Sequence, residues 1–264
     1  MTTKDFTRRF PAVKASFRHI AGTLLPPCLA AAVFTGCSLS FRSSPDLEEG
    51  VEFYKIQQYR LAIKPLTAAA EDGFSEAQYY LANCYLNGLG VAKNEAEAVR
   101  LLEQAANMSH PGANLELGKC CLEGIGAPKD PERAVRLFRD AAVAGDPEAK
   151  YMLGLCYEKG EGIEQNLAEA IECLLKAADL GCPEAQLERG KRLYDAQQFA
   201  EAAVWFRKAA EQGLPEAQRM LGSCCENGHG VGQDRKAAEK WYRKAADMGD
   251  PDALASLARL GANR

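Results

Sequence analysis

The fold is decided by residues 147–182, PEAKYMLGLCYEKGEGIEQNLAEAIECLLKAADLGC. In the first half of this stretch, small and apolar residues recur three and four positions apart, which places them on one face of a helix. They are Ala149, Met152, Leu153, Cys156 and Tyr157. Gly160 and Gly162 are suited to end this helix, because glycine readily adopts the left-handed conformation of a helix C-terminus. Asn166 is then the predicted N-cap of a second helix, which Gly181 ends. The stretch therefore predicts a helix–loop–helix hairpin.

This hairpin is repeated along the chain. An alanine of the first helix recurs at intervals of 36, 36, 36, 32 and 36 residues, at Ala77, Ala113, Ala149, Ala185, Ala217 and Ala253. Periods of this length are typical of stacked helix pairs and not of a single globular core. Residues 57–73 match residues 197–213 at a constant offset of 140, and both stretches lack the Gly-x-Gly loop. The sequence therefore predicts an all-α fold, an α/α superhelical solenoid of helix-turn-helix repeats with about six units and a C-terminal half unit.

The second helix of most units has a start signal in the same repeat phase. A side chain that can cap a helix N-terminus stands at Asn94, Asp130, Asn166 and Asp234. Glu97 and Glu169 follow their asparagines by three residues, which predicts a capping box in which the carboxylate bonds back to the N-cap.

The start of the chain differs in composition from the repeats. Five basic residues stand among the first eighteen positions, and an apolar run follows at residues 20–34. This order is typical of a secretory signal. The residues Phe34-Thr35-Gly36-Cys37 resemble a bacterial lipobox, in which the cysteine is lipidated and becomes the mature N-terminus.

We therefore expect a signal peptide at residues 1–36, lipidation at Cys37, a tether at residues 37–44 and a repeat domain at residues 45–264. The expected location is outside the cytoplasm, anchored to a bacterial membrane in the periplasm or cell envelope. A retained membrane anchor and an uncleaved N-terminus are the alternatives.

Two units carry a set of concurrent matches to a known repeat. The shared pattern is Ala-x-x-x-Leu-Gly-x-x-Tyr-x-x-Gly-x-Gly-Val, followed by x-Ala-x-x-Trp-Tyr-x-Lys-Ala-Ala-x-x-Gly. In the third long unit it is matched by Leu153, Gly154, Tyr157, Gly160, Gly162, Ile163, Lys176, Ala177, Ala178 and Gly181. The pattern resembles the Sel-like repeats (SLR) of the tetratricopeptide superfamily over about residues 45–264. Three positions depart from it: Ala82 replaces Gly, Ser109 replaces a stop Gly, and Arg189 replaces Leu.

The resemblance implies an interaction scaffold, in which the first helices line a concave groove that receives an unknown partner protein or peptide. Carried over by position, the groove-facing residues are Tyr79, Asn83, Leu115, Lys119, Tyr151, Leu155, Leu187, Lys191, Arg219 and Ser223. Tyrosine and arginine are residue types that often anchor protein interfaces. The alternative for each residue is that it packs only against the next repeat.

Four cysteines recur in the repeat phase on the apolar face of the first helices. They are Cys84, Cys120, Cys156 and Cys224, and there cysteine acts as a small apolar residue. Stacked helices lie about 9 to 10 Å apart, whereas a disulfide needs Cα atoms within about 7 Å, so we expect no bonds among these four. Whether Cys156, Cys173 and Cys182 form disulfides within or between hairpins stays open.

The composition points away from several classes of function. A net charge of −4 without a basic stripe argues against nucleic acid binding. We expect no metal, no cofactor and no small-molecule substrate, and we expect His110 and His229 in solvated loops. An alternative is a cysteine-rich SLR protein of the β-lactamase-like or penicillin-binding type, although the chain has no Ser-x-x-Lys motif. A purely structural spacer of the envelope is a third interpretation.

Overall fold

The computed structural model describes residues 44–262, so the predicted signal peptide and the predicted lipidation site at Cys37 lie outside the described residues. Within this range the chain forms thirteen α-helices and no strand. In chain order they are α1 (Pro45–Lys55), α2 (Tyr59–Glu71), α3 (Ser75–Asn87), α4 (Glu95–Asn107), α5 (Pro111–Glu123), α6 (Pro131–Val143), α7 (Pro147–Lys159), α8 (Leu167–Asp179), α9 (Pro183–Asp195), α10 (Phe199–Glu211), α11 (Pro215–Asn227), α12 (Arg235–Asp247) and α13 (Pro251–Ala262).

Consecutive helices pair into six hairpins, and α13 forms a half unit after the last of them. The odd-numbered helices are the first helices of the hairpins, and the even-numbered helices are the second helices. Each second helix packs against the first helix of its own hairpin and against the first helix of the next hairpin. This nearest-neighbour packing confirms the predicted all-α solenoid.

The predicted N-caps are confirmed, but the capping boxes are not. The Asn94 side chain accepts a hydrogen bond from the Glu97 backbone N–H at 3.1 Å. The backbone N–H of Asn94 donates to the carbonyl oxygen of Tyr85, at 2.9 Å. Because this donor is already used, the Glu97 carboxylate does not bond back to the cap and pairs with Arg100 instead. The same holds for Asn166, whose N–H donates to the carbonyl oxygen of Tyr157.

The Gly-x-Gly segments do more than end the first helices. Their first glycines are left-handed C-caps, with φ between 68° and 77°. Their second glycines lie against the N-terminus of the preceding second helix. A Cβ at Gly126 would stand 2.3 Å from the Glu95 carbonyl oxygen, and one at Gly162 would stand 2.1 Å from that of Pro131. We call these segments the covering loops, at residues 88–90, 124–126, 160–162 and 228–230.

A different glycine sets the distance between the two helices of one hairpin. Gly118 in α5 faces the ring of Phe138 in α6, and a Cβ there would meet the ring at 2.5 Å. Gly222 in α11 faces Tyr242 in the same way, at 2.8 Å. In these hairpins the glycine of the Leu-Gly motif therefore makes room for a large side chain of the second helix.

The apolar interior contains most of the cysteines. Cys84, Cys120, Cys156 and Cys224 are at most 3% exposed, which confirms that they are small apolar core residues. The eight cysteines between residues 84 and 225 are all free thiols. Cys156, Cys173 and Cys182 are among them, and the Cys182 thiol donates a hydrogen bond to the Glu184 carboxylate at 3.3 Å.

Candidate partner-binding surface

The predicted groove residues occupy two register positions, four residues apart, on the first helices. Side chains at i and i+4 lie on the same helix face, so each pair forms one step of a common surface. Seven of the ten are half-buried: Tyr79, Lys119, Tyr151, Leu155, Lys191, Arg219 and Ser223. We call the surface made by these seven residues the first-helix face.

The remaining three lie in the interior, which differs from the sequence-based expectation. Leu115 and Leu187 are each 5% exposed, and Asn83 is 9% exposed. The two leucines belong to apolar clusters formed with neighbouring helices. An apolar side chain at this position packs into the seam between repeats, because burial of a leucine is favourable by about 2 kcal/mol.

Charged side chains link successive first helices along this face. Lys119 in α5 contacts Glu116 at 2.8 Å and Glu148 of α7 at 2.7 Å. Lys191 in α9 likewise contacts Glu188 at 3.3 Å and Glu216 of α11 at 2.9 Å. The two lysines occupy the same register position, and each carboxylate of the next helix lies one residue before the repeat-marking alanine. The ion pairs therefore align one repeat with the next.

The environment of Lys119 favours its charged form. Burial by itself would lower its pKa, but the hydrogen bonds to Glu116 and Glu148 outweigh burial and raise the pKa above its usual value. Lys191 behaves in the same way between Glu188 and Glu216. These cations are already neutralised within the chain, so the first-helix face does not present a basic surface.

Arg219 ends this series of ion pairs at the last helix. Its guanidinium lies 3.1 Å from Asp250, the residue before α13, and 3.8 Å from Asp252 within it. The Asp250 side chain also accepts a hydrogen bond from the Ala253 backbone N–H, at 2.9 Å. Arg219 therefore holds the start of the half unit, in addition to any contact with a partner.

Aromatic side chains dominate the other end of the surface. The ring of Tyr79 stacks on His110 at 4.9 Å and contacts Tyr80 at 5.3 Å, and Tyr54 lies 4.8 Å from Tyr80. The sequence analysis selected Tyr79 but missed two neighbouring tyrosines. Tyr54 lies on α1, and Tyr80 lies on α3 but outside the carried-over positions. The run Tyr79-Tyr80 was the available signal. All three tyrosines are half-buried, and burial raises their pKa.

The two histidines were predicted to be solvated, but both are half-buried and make specific contacts. His110 caps α5 by accepting a hydrogen bond from the Ala113 N–H at 3.1 Å. His229 stacks on Phe199 at 4.6 Å, and its Nδ1 lies 2.7 Å from the Tyr194 hydroxyl. Both imidazoles pack between repeats because an adjacent aromatic ring offers them a flat contact surface.

The pKa values of four buried cysteines and of Tyr151 disfavour nucleophilic chemistry by these side chains. Burial raises the pKa of Cys84, Cys120, Cys156 and Cys224 to about 11, so these thiols stay protonated at neutral pH. Burial likewise raises the pKa of Tyr151 to about 12. No group of three or more metal-ligating side chains forms between residues 44 and 262. No helix in that range is long and apolar enough to cross a membrane.

This protein is an α-helical repeat protein, as its hairpins, covering loops and repeat period show. The chain belongs to the Sel1 repeat family, whose model matches residues 75–110, 111–146, 147–182, 183–214 and 215–250. The match includes the short fifth hairpin, which lacks a covering loop. Sel1 repeat proteins generally bind other proteins. No curated protein matches the chain.

Solved structures show the same fold. A Sel1 repeat protein from Oxalobacter formigenes is 29% identical with a TM-score of 0.72, and the match covers 81% of this chain and 64% of that one. A protective antigen present in uropathogenic Escherichia coli strains, which displays an SLR fold, is 26% identical with a TM-score of 0.56, covering 81% and 48%. The chain therefore spans less than two thirds of the length of these two relatives. PilF of Pseudomonas aeruginosa, at 18% identity and a TM-score of 0.54, shares the fold over 81% of this chain and 96% of its own.

These comparisons support a protein-interaction scaffold at the level of the family. They give no support to the β-lactamase-like or penicillin-binding alternative.

Proposed function

We propose that the protein is an interaction scaffold of the bacterial cell envelope, which binds a partner protein or peptide on its first-helix face. The observation that carries the proposal is the row of half-buried Tyr79, Tyr151 and Arg219, which share one register position on the first helices α3, α7 and α11 of a chain whose family binds proteins. Side chains of this type, anchored at one end and accessible at the other, are common at the centre of protein interfaces.

At the aromatic end of this face, next to Tyr79, the side chains are already restricted in their rotamers before a partner binds. Tyr54, Tyr79 and Tyr80 hold one another at ring distances of 4.8 to 5.3 Å, which limits the rotamers that binding has to freeze. A rigid aromatic surface loses little conformational entropy when a partner covers it. We therefore place the strongest contacts with the partner at this end.

Site-specific photo-crosslinking tests this surface. Replacement of Tyr79 or Tyr151 by p-benzoylphenylalanine keeps an aromatic side chain in place, so the fold is preserved. Arg139 and Lys240 are exposed residues of second helices and serve as matched control positions. In cells that express the full chain, we expect a discrete adduct at Tyr79 and Tyr151 and none at the two controls. Adducts that are as strong at the controls, or absent everywhere, contradict the assignment.

A triple change tests the energetic contribution of the same face. With Tyr79→Ala, Tyr151→Ala and Arg219→Ala combined, we expect the amount of co-purified partner to fall at least tenfold. Because Arg219 also holds α13, circular dichroism and a urea titration must show that the variant is folded. A control triple at Lys64, Arg139 and Lys240, all exposed on second helices, should retain the partner.

The envelope location rests on the sequence of the first 37 residues. A basic start, an apolar run and a lipobox-like Cys37 are the features of a lipoprotein signal. In a bacterial host, we expect the wild-type chain to incorporate an alkyne-labelled fatty acid and to sediment with membranes, and Cys37→Ala to lose the label. Equal labelling of both chains would show that Cys37 is not the lipidated residue.

A further inference from the structure

Helix α8 carries a stripe of exposed apolar side chains. Leu167, Ile171 and Leu175 are spaced by four residues and are 58%, 47% and 41% exposed. The spacing puts them on one face of the helix, and Ile171 and Leu175 line a cleft with residues of α9. Three large apolar side chains in a row on one helix face are seldom left uncovered at a protein surface.

The same positions are covered in other hairpins. Val99, Val135 and Ala203 correspond to Ile171 in α4, α6 and α10, and they are only 5%, 3% and 2% exposed. The covering loop of the following hairpin provides this burial: a Cβ at Gly126 would stand 3.0 Å from the Val99 side chain. On α10, Gly230 of the covering loop and Val231 directly after it lie in one cleft with Ala203.

The stripe on α8 is bare because the next hairpin lacks a covering loop. Only residues 196–198 connect α9 to α10, whereas seven residues, 160–166, connect α7 to α8. The first hairpin also has a three-residue connection, but no described helix precedes it. The family model matches this short unit at residues 183–214, so the missing loop is a feature of a regular repeat and not of a degenerate one.

Other second helices have different residues at these positions. In α12 the residues that correspond to Leu167 and Ile171 are Arg235 and Glu239. The position of Leu175 is polar in the other second helices, where it is Thr67, Glu103, Arg139, Arg207 and Arg243. Helix α2 has an isoleucine at one of these places, the half-buried Ile63, but among the six second helices described only α8 has leucine or isoleucine at all three.

The bare stripe forms one wall of a cleft between α8 and α9. Ile171, Leu175 and Leu193 provide apolar lining, and Glu188, Arg189 and Arg192 provide charged lining. We call this cleft the α8 notch. Arg192 contacts Glu158 at 3.3 Å with both side chains over 40% exposed, an ion pair worth less than about 1 kcal/mol. Its guanidinium is therefore available to another carboxylate.

Arg189 was noted in the sequence as a departure from leucine, and the notch explains its position. Its guanidinium lies 4.1 Å above the ring of Trp205 and 2.7 Å from Asp179. These contacts hold Arg189 in place beside the notch. Glu188 also lines the notch and pairs with Lys191 at 3.3 Å. Arg192, whose own ion pair is long and exposed, is therefore the cation of the notch that a carboxylate of a ligand can reach.

We propose that the α8 notch binds a glycine-containing loop of a partner protein that places a branched apolar residue on Ile171 and a carboxylate on Arg192. Four covering loops, whose glycines have positive φ, show that the equivalent surface of a second helix is complementary to a turn of this kind. The four covering loops of the described residues already pack on their own helices, so a second copy has none of them to donate.

A peptide selection tests the proposal. A library of random twelve-residue peptides is selected on the full chain and counter-selected on a variant in which residues 196–198 are replaced by the seven residues 160–166. This graft restores the standard repeat length and closes the notch with the chain's own loop. We expect enriched peptides that combine a branched apolar residue with Asp or Glu, and an absence of enrichment contradicts the proposal.

Affinities of the selected peptides locate the site. Leu175→Arg introduces the residue found at Arg139, Arg207 and Arg243, so the fold should tolerate it; we expect at least a tenfold rise in Kd. Arg192→Ala should raise Kd several-fold and weaken its salt dependence. Val143→Arg changes an apolar side chain that is 85% exposed outside the notch and serves as the control, with no change expected.

Three results would overturn the proposal. The first is an unchanged Kd in both the grafted variant and Leu175→Arg. The second is selected peptides that lose affinity on Tyr79→Ala instead, which places them on the first-helix face. The third is a wild-type chain that self-associates in solution while Leu175→Arg is monomeric, which identifies the occupant as a second copy.

Discussion

At the scale of single residues, the interior depends on the match between a glycine and the side chain opposite to it. Gly118 faces Phe138, whereas Ala82, at the same position of the preceding hairpin, is followed at the same offset by the smaller Leu102. Ala82, Leu102 and Phe138 are all fully buried. The departure of Ala82 from the repeat pattern is therefore compensated within its own hairpin.

We predict that Gly118→Ala destabilises the fold although alanine favours a helix. The added Cβ would meet the Phe138 ring at 2.5 Å, and overpacking of this kind costs about 1 to 3 kcal/mol, against a helix-propensity gain of at most about 1 kcal/mol. A lower urea midpoint is the expected result. Gly261→Ala in α13, where nothing lies within 4 Å of the added Cβ, is the control and should leave the midpoint unchanged or slightly raised.

The double change tests the compensation directly. Gly118→Ala combined with Phe138→Leu recreates the Ala82 and Leu102 pair. We therefore expect the double variant to lose less free energy of unfolding than the sum of the losses in the two single variants. Strict additivity would show that the two side chains do not share one space.

At the scale of the helical elements, the ends of the second helices show how a backbone conformation can outweigh residue preference. Ser109 follows α4 with φ of 59°, although five other second helices have glycine there with φ between 87° and 104°. The left-handed conformation costs a residue with a side chain about 1 to 2 kcal/mol. The repeat geometry imposes the turn, and Ser109 adopts it.

We predict that Ser109→Gly raises the free energy of unfolding by about 0.5 to 1 kcal/mol, since relief of the strained φ is partly offset by a more flexible unfolded chain. The reciprocal change, Gly145→Ser after α6, should lower it by a similar amount. Open space surrounds Gly145, so packing does not obscure the comparison. Chemical denaturation of the two variants measures both effects, and shifts of the same sign would refute the explanation.

At the scale of the whole molecule, buried thiols link the stability of the stack to pH. Their folded pKa values, about 11 for Cys84, Cys120, Cys156 and Cys224, exceed the unfolded value because burial disfavours the thiolate. A group whose pKa is raised by folding stabilises the folded state below its unfolded pKa. That contribution is lost as the pH rises through the folded pKa.

We therefore predict that the urea midpoint falls between about pH 9 and 11, the range in which these thiols ionise more readily in the unfolded chain. A variant with all four cysteines changed to alanine should be less stable at pH 7 but should show a smaller fall over this range. In the folded wild-type chain at pH 7, an Ellman assay should report slow thiol reaction that becomes fast in urea. An equal pH dependence in both chains would mean that other groups cause the fall.

The first-helix face was only partly predictable from the sequence. Position in the repeat identified Tyr79, Tyr151 and Arg219, but it also selected Leu115 and Leu187, which are buried. Leu115 and Leu187 share one register position with Tyr79, Tyr151 and Arg219, and a periodic pattern does not distinguish the buried members of a position from the exposed ones. Contacts with the next hairpin decide it, as they do for Lys119, which pairs with Glu148.

The sequence by itself determined the helix hairpins, their number, their N-caps and the glycines that end them, because these features depend on residues within one turn or one loop. Only the tertiary structure decided which side chains meet between repeats: the ion pairs of the first-helix face, the stacked histidines and the bare stripe of α8. Those contacts join residues about 25 to 36 positions apart, and a three-residue connection in one hairpin exposes a helix of the hairpin before it. The conformational preferences of single residues do not encode contacts between residues so far apart in the sequence. The stacking of the repeats therefore determines the surface that a partner meets.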